Sequence, residues 1–178
     1  MTIEVGRVKE INAKELNMNP VADIGEGWML VTAGSEAGYN TMTAAWGHIG
    51  ASWGRRSVGM GTAICYVRPQ RYTKEFMDRE DYYTLSFFPP EYKEKLTYLG
   101  VRSGRDEDKV ANVGLTPVFE EGYTYFAEAN MVLVCRKLYR APIVEEGFVD
   151  KSVLDVHYPE RDFHEMYVGE IVRVLVEE

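Results

Sequence analysis

The stretch VGMGTAICYVRPQRYT, residues 58–73, decides how the chain folds. Val58, Met60, Thr62, Ile64 and Tyr66 fall on one face, and Gly59, Gly61, Ala63, Cys65 and Val67 on the other. That period of two is the signature of a strand. The small residues of the second face predict close approach of another backbone or of a flat ligand. Pro69 cannot donate a ladder hydrogen bond, so the strand stops there. Thr73 is then placed to cap a helix over Lys74–Arg79. Gly59-Met60-Gly61 imitates the start of a dinucleotide loop. The third glycine is missing, however, and strand rather than helix follows.

Outward from this segment the chain reads mostly as short β runs. Trp28–Thr32 is a strand ended by Ala33-Gly34-Ser35, and Thr41–Trp46 alternates between two faces. Thr32-Ala33-Gly34-Ser35 is no flavodoxin-like phosphate loop, because the residues after it keep a period of two. Tyr83–Phe88 and Glu170–Val176 are further strands, and Tyr123–Leu138 reads as one long strand that bends across two sheets or round a barrel. Pro90–Leu99 predicts a helix with Pro at its start and Gly100 just past its end. Asp106 caps a short helix carrying Val110 and Val113, stopped by Gly114. Many strands with few, short helices predict a mainly β fold, a small barrel with helical insertions. A doubly wound parallel sheet fits poorly, since strands and long helices do not alternate.

At 178 residues the chain is expected to form one domain spanning residues 1–178, with its core over about 28–176. That length buries about 70% of the unfolded surface. With 28 acidic and 20 basic residues, the net charge of −8 argues against nucleic acid or an anionic membrane as partner. No apolar run approaches the roughly 20 residues of a membrane span. The first ten residues, charged at Glu4, Arg7, Lys9 and Glu10, carry no secretory signal. Cys65 and Cys135 lie in apolar runs and read as reduced core thiols of a cytoplasmic protein, a disulfide being the other reading. Three scattered histidines, His48, His157 and His164, give no zinc spacing, so no metal is expected. No serine sits in a nucleophile elbow.

Two turns of this acidic chain carry clustered positive charge. Arg68, Arg71, Thr73 and Lys74 surround one strand end and helix start. Free N–H groups at a helix start, a forked guanidinium and a hydroxyl together suit a phosphate. Arg102-Ser103-Gly104-Arg105, followed by Lys109, forms a second such turn. The competing reading is a solvated turn with surface ion pairs. Asn40-Thr41-Met42-Thr43 leads to Trp46 along a mixed polar and apolar edge. Such an edge can offer backbone groups to a flat heterocycle.

NTMTAAW at 40–46, VRPQRYT at 67–73, SGRDEDK at 103–109 and HEMYVGEI at 164–171 stand in an order that resembles the flavin reductase-like family. The flavoredoxin-type branch is similar through the SGRDEDK segment. The resemblance runs from about Trp28 to Val176 and implies a Greek-key split β-barrel that binds FMN. It further implies that Asn40, Thr41, Met42, Thr43 and Trp46 line the flavin ring. Val67, Arg68 and Gln70 would lie near the ribityl chain, and Arg71, Thr73 and Lys109 would hold the phosphate, with Ser103 and Arg105 as further contacts. His164 is implied near the open flavin face or at the interface of a homodimer. The chain departs from the family where Gly47-His48-Ile49-Gly50 and Trp53-Gly54-Arg55-Arg56-Ser57 replace a Pro-rich connection. Two activities are implied: hydride transfer from NAD(P)H to the flavin, or electron exchange with a redox protein. A binding-only barrel is the third reading.

Overall fold

The structure is a computed structural model that describes residues 8–56 and 58–178. The N-terminal reading on residues 1–7 and the Ser57 position lie outside those residues. The predicted mainly β fold with short helices is what forms. In chain order the strands are β1 (Val8–Ile11), β2 (Met29–Ser35), β3 (Gly38–Ala44), β4 (Gly47–Arg55), β5 (Val58–Val67), β6 (Tyr82–Phe87), β7 (Pro117–Glu120), β8 (Tyr123–Phe126), β9 (Met131–Pro142) and β10 (Glu165–Glu177). The helices are α1 (Pro20–Ala22), α2 (Thr73–Arg79), α3 (Lys93–Val101), α4 (Lys109–Val113) and α5 (Ser152–His157).

The eight-stranded sheet runs β3-β2-β6-β9-β10-β5-β4, with β1 added beside β10, and β7 and β8 pair separately. Every pairing is antiparallel. β3 and β4 lie at opposite ends of that order, yet only Ala45 and Trp46 separate them in the chain. Three Cα–Cα steps span at most about 11 Å. The sheet must therefore curl until its two ends almost meet, which leaves a seam.

β10 supplies much of the curl, through register shifts at Val168/Gly169 and Ile171/Arg173. Gly169 is required there: a Cβ would meet the Tyr83 hydroxyl at 2.6 Å and Cys135 Cβ at 2.8 Å. Inside the curl, Met29, Val31, Cys65, Val67, Leu85, Leu133, Cys135 and Tyr167 are fully or almost fully buried. The small face of β5 thus faces the core, and Gly61 receives Ala13 Cβ rather than a ligand. Both cysteines are free. On the other side of β2, Leu30 packs with Leu96, Leu99, Val110 and Phe126, the layer under α3 and α4.

Several boundaries differ from the expected ones. Ala33-Gly34-Ser35 continue β2, because Gly34 takes φ 109° and the pairing with β3 runs on to Gly38. The long run 123–138 is two strands. The Glu128 carboxylate accepts from Thr116 N at 3.0 and 3.1 Å, and the turn it stabilises separates β8 from β9. Asp106 closes a turn onto Ser103, so Asp108 caps α4 instead, accepting from Ala111 N at 3.1 Å. Thr73 is the first residue of α2 and not its cap. β1, β4, β7 and α5 lacked clear sequence signals.

Candidate functional site

The seam is where the motif residues gather. β3 forms one wall, the end of β5 the other, and α3 closes the side. Gly100 allows that approach, since a Cβ on it would sit 3.2 Å from Thr43 Cβ. The Thr43 hydroxyl donates to the Leu96 carbonyl and ties α3 to β3. Between them lies a cavity of about 330 Å³, walled by Met42, Thr43, Trp46, Tyr66, Gly100 and His164 among others. A smaller cavity of about 190 Å³ adjoins it, lined by Asn40, Gln70, Thr73, Ser103 and Lys109. Met42, Arg68, Arg71 and Val101 line both.

The smaller cavity is cationic. Arg71 donates to the Gly100 carbonyl, and its guanidinium is pushed below its ordinary value by burial and by Arg68. Lys109 is 4% exposed and donates to the carbonyls of Leu99 at 2.9 Å and Arg102 at 3.0 Å. Burial, reinforced by the Arg71 charge, pushes its ammonium down to about 8. Among the described residues, neither cation forms an ion pair. A buried ammonium beside a half-buried guanidinium is costly until an anion joins them. Asn40 Nδ2 donates to the buried Thr73 hydroxyl at 2.8 Å, which fixes both side chains on the cavity wall. Gly104 presses against that pair, and a Cβ there would meet Asn40 Oδ1 at 2.2 Å.

The other polar residues of the 67–73 segment turn away from this cavity's cations. Arg68 pairs with Asp162 and donates to the His157 carbonyl at 2.8 Å. Gln70 Nε2 donates to the same Asp162 oxygen at 2.9 Å. Asp162 and His157 belong to a strap, residues 143–164, that leaves β9 and returns to β10. Arg68 also lies over the Tyr158 ring, 5.2 Å from its centroid. Two motif side chains therefore fasten the strap beside the cleft.

His164 ends the strap and is 8% exposed. Its Nδ1 lies 2.8 Å from the Tyr158 hydroxyl, and its ring lies 4.8 Å from Trp46 between centroids. Burial, with the Arg68 charge behind it, pushes its pKa down to about 4, so the ring is neutral at pH 7. The Trp46 side chain is 40% exposed at the seam.

Three of the expected side chains stand outside the cavities. Thr41 is fully buried, with its hydroxyl 2.8 Å from that of Thr32. Val67 belongs to the core. Arg105 pairs with Glu75 and lies 4.6 Å over the Tyr72 ring. Tyr66, Gly100 and Val101 line the cavities without having been expected there, and Arg102 lines the smaller one as a member of the second cationic turn. Tyr66 was readable as the last aromatic of its strand face. Tyr158 and Asp162 carried no local signal, since their partners lie far away in sequence.

Curl, seam and cavities define a class: a small antiparallel barrel whose edge cleft suits a flat molecule with an anionic tail. The sequence model of the flavin reductase like domain matches residues 21–178, and the chain belongs to that family. No curated protein matches the chain significantly. Among solved structures, the FMN-binding domain of a flavin reductase-like enzyme from Shewanella baltica superposes with a TM-score of 0.65 at 15% identity, covering 97% of this chain and 78% of that one. Flavoredoxin of Desulfovibrio vulgaris gives 0.63 at 25% identity, over 85% and 69%. An NADH:FAD oxidoreductase of Streptomyces globisporus gives 0.61 at 14%, over 83% and 73%. Among the described residues, no helix is long and apolar enough to cross a membrane.

Proposed function

We propose that the chain binds FMN at the seam and acts as an NAD(P)H-dependent flavin reductase. One observation carries the reading. Arg71 and Lys109, from separate turns, line one small cavity that opens into a ring-sized cleft. The donor set fits the group: the buried Lys109 and half-buried Arg71, without carboxylate partners and beside the Asn40–Thr73 pair, suit a phosphate. Met42, Thr43 and Trp46 then flank the ring, with Asn40 and Thr41 offering backbone groups. The buried Leu96 closes that wall.

The bound flavin supplies hydride and electron transfer. The chain's own residues bind, orient and set the field. Fixed N–H groups along β3 favour negative charge on the ring without reorganising. No side chain of the cleft need exchange a proton for this role, which agrees with a His164 held neutral.

The alternative is an electron carrier that keeps its FMN and trades electrons with a protein. The net charge of −8 and the likeness to flavoredoxin support it. We further infer a homodimer with the flavin near its interface, in a reducing cytoplasm. A cavity of about 680 Å³ beside Trp46, walled by Val21, Ile143 and Phe148, leaves apolar surface for that contact. Light scattering at twice the monomer mass is expected.

Purified protein loaded with FMN should lose its yellow absorbance anaerobically with NADH or NADPH. Bleaching by a reduced ferredoxin-type donor alone would select the carrier. Colourless protein that takes up no added FMN would defeat both.

A further inference from the structure

The His164 imidazole is gripped by a residue that carries no motif. Tyr158 follows α5 on the strap and is 2% exposed. Phe148 and Phe163 pack on its ring, with centroids 5.7 and 4.9 Å away. Its hydroxyl therefore has little freedom, and it sits 2.8 Å from His164 Nδ1.

The direction of that bond can be worked out. Burial raises the phenol above its ordinary value, so it keeps its proton. Among the described residues the buried hydroxyl has no hydrogen-bond partner other than Nδ1, so its proton would go unpaired if Nδ1 donated instead. The hydroxyl proton therefore points at Nδ1, which must accept. A neutral imidazole carries one proton, so an accepting Nδ1 leaves that proton on Nε2. His164 lines the larger cavity, and Nε2 is the nitrogen left for a ligand. The charges around the ring agree: Arg68 and Arg71 both disfavour a second proton, while Asp162 is already engaged by Arg68 and Gln70.

We propose that Tyr158 is a positioning residue that locks His164 as the neutral Nε2–H tautomer, making the imidazole a hydrogen-bond donor to an oxygen or unprotonated nitrogen of the ring in the cleft. The ligand's identity rests on the FMN reading given above; the tautomer does not. The same bond ties the middle of the strap to its end, where His164 lines the cavity.

Nitrogen-15 NMR of the imidazoles in ligand-free protein tests the tautomer directly. The expected result is a His164 proton on Nε2 and a bare Nδ1, unchanged between pH 6 and pH 8. Tyr158→Phe keeps the ring and removes the hydroxyl. It should give a mixture of both His164 tautomers and raise the FMN dissociation constant about two- to tenfold, the effect of one neutral hydrogen bond. His164→Gln should itself weaken FMN binding, and adding Tyr158→Phe to it should change nothing further. A wild-type proton on Nδ1 overturns the proposal. So does a Tyr158→Phe protein that retains a single Nε2–H tautomer, or additive losses in the double variant. If the wild type shows the expected tautomer but takes up no FMN, the FMN reading fails and the Tyr158 assignment holds.

Discussion

Arg68 and Arg71 stand three positions apart in one short segment and do different work. Arg68 turns toward the strap, where Asp162, the His157 carbonyl and the Tyr158 ring satisfy it. Arg71 turns toward α3, where it meets a backbone carbonyl and a second buried cation, Lys109. The first end of the site is electrically complete and the second is not. What would separate a structural arginine from one that holds a ligand is therefore the company it keeps, and the sequence does not print that company.

Removing Arg71 should show the largest effect. Arg71→Ala deletes a charge-assisted contact of about 1.5–3 kcal/mol, so FMN affinity should fall about 10- to 100-fold in a fluorescence-quenching titration. Arg68→Ala should cost much less affinity, because its charge is already matched. Equal losses in the two variants would break the contrast.

Gly104→Ala sharpens it from the backbone side. The added methyl would displace Asn40 and break its bond to Thr73. Overpacking of this kind costs about 1–3 kcal/mol, read as a lower denaturation midpoint together with weaker FMN binding. An unaltered midpoint would show that Asn40 is free to move.

The third test is a pH dependence. Lys109 is held near 8, below its ordinary 10.5. Its folded-state pKa is depressed, so it contributes stability at high pH that is lost as pH falls through about 8. FMN-free protein should thus gain stability from this group as pH rises from 8 toward 10.5. FMN affinity should run the other way. A phosphate with a second pKa of about 6 is best held between roughly pH 6 and 8, and binding should weaken above that. A flat affinity up to pH 10 would remove Lys109 from the anion's surroundings.

Much of the fold could be read directly. β5 has the limits its alternation predicts, because one face is buried among Cys65, Val67 and their neighbours. α2 begins where Pro69 and the turn after it require. β4 was harder to read, because it is largely exposed and interrupted by Gly50 and Gly54, so no apolar period marks it. The two cationic turns were visible as composition, and the structure places Arg71 and Lys109 on one cavity. Arg105 follows the competing reading, an ion pair, but its partner Glu75 lies on α2, 30 positions away, and could not be named from the sequence. The strap contacts were invisible for the same reason: Asp162 meets Arg68 across 94 positions.

The link Ala45–Trp46 has a consequence for how the molecule is made and how it moves. β2 with β3, and β4 with β5, are two hairpins that each close on local chain, a modest entropic cost. They are consecutive along the polypeptide yet share no ladder, so one short hinge sets the gap between them. The width of the ligand opening is thus an inherited chain length, and a single inserted residue there would widen it without touching any contact residue.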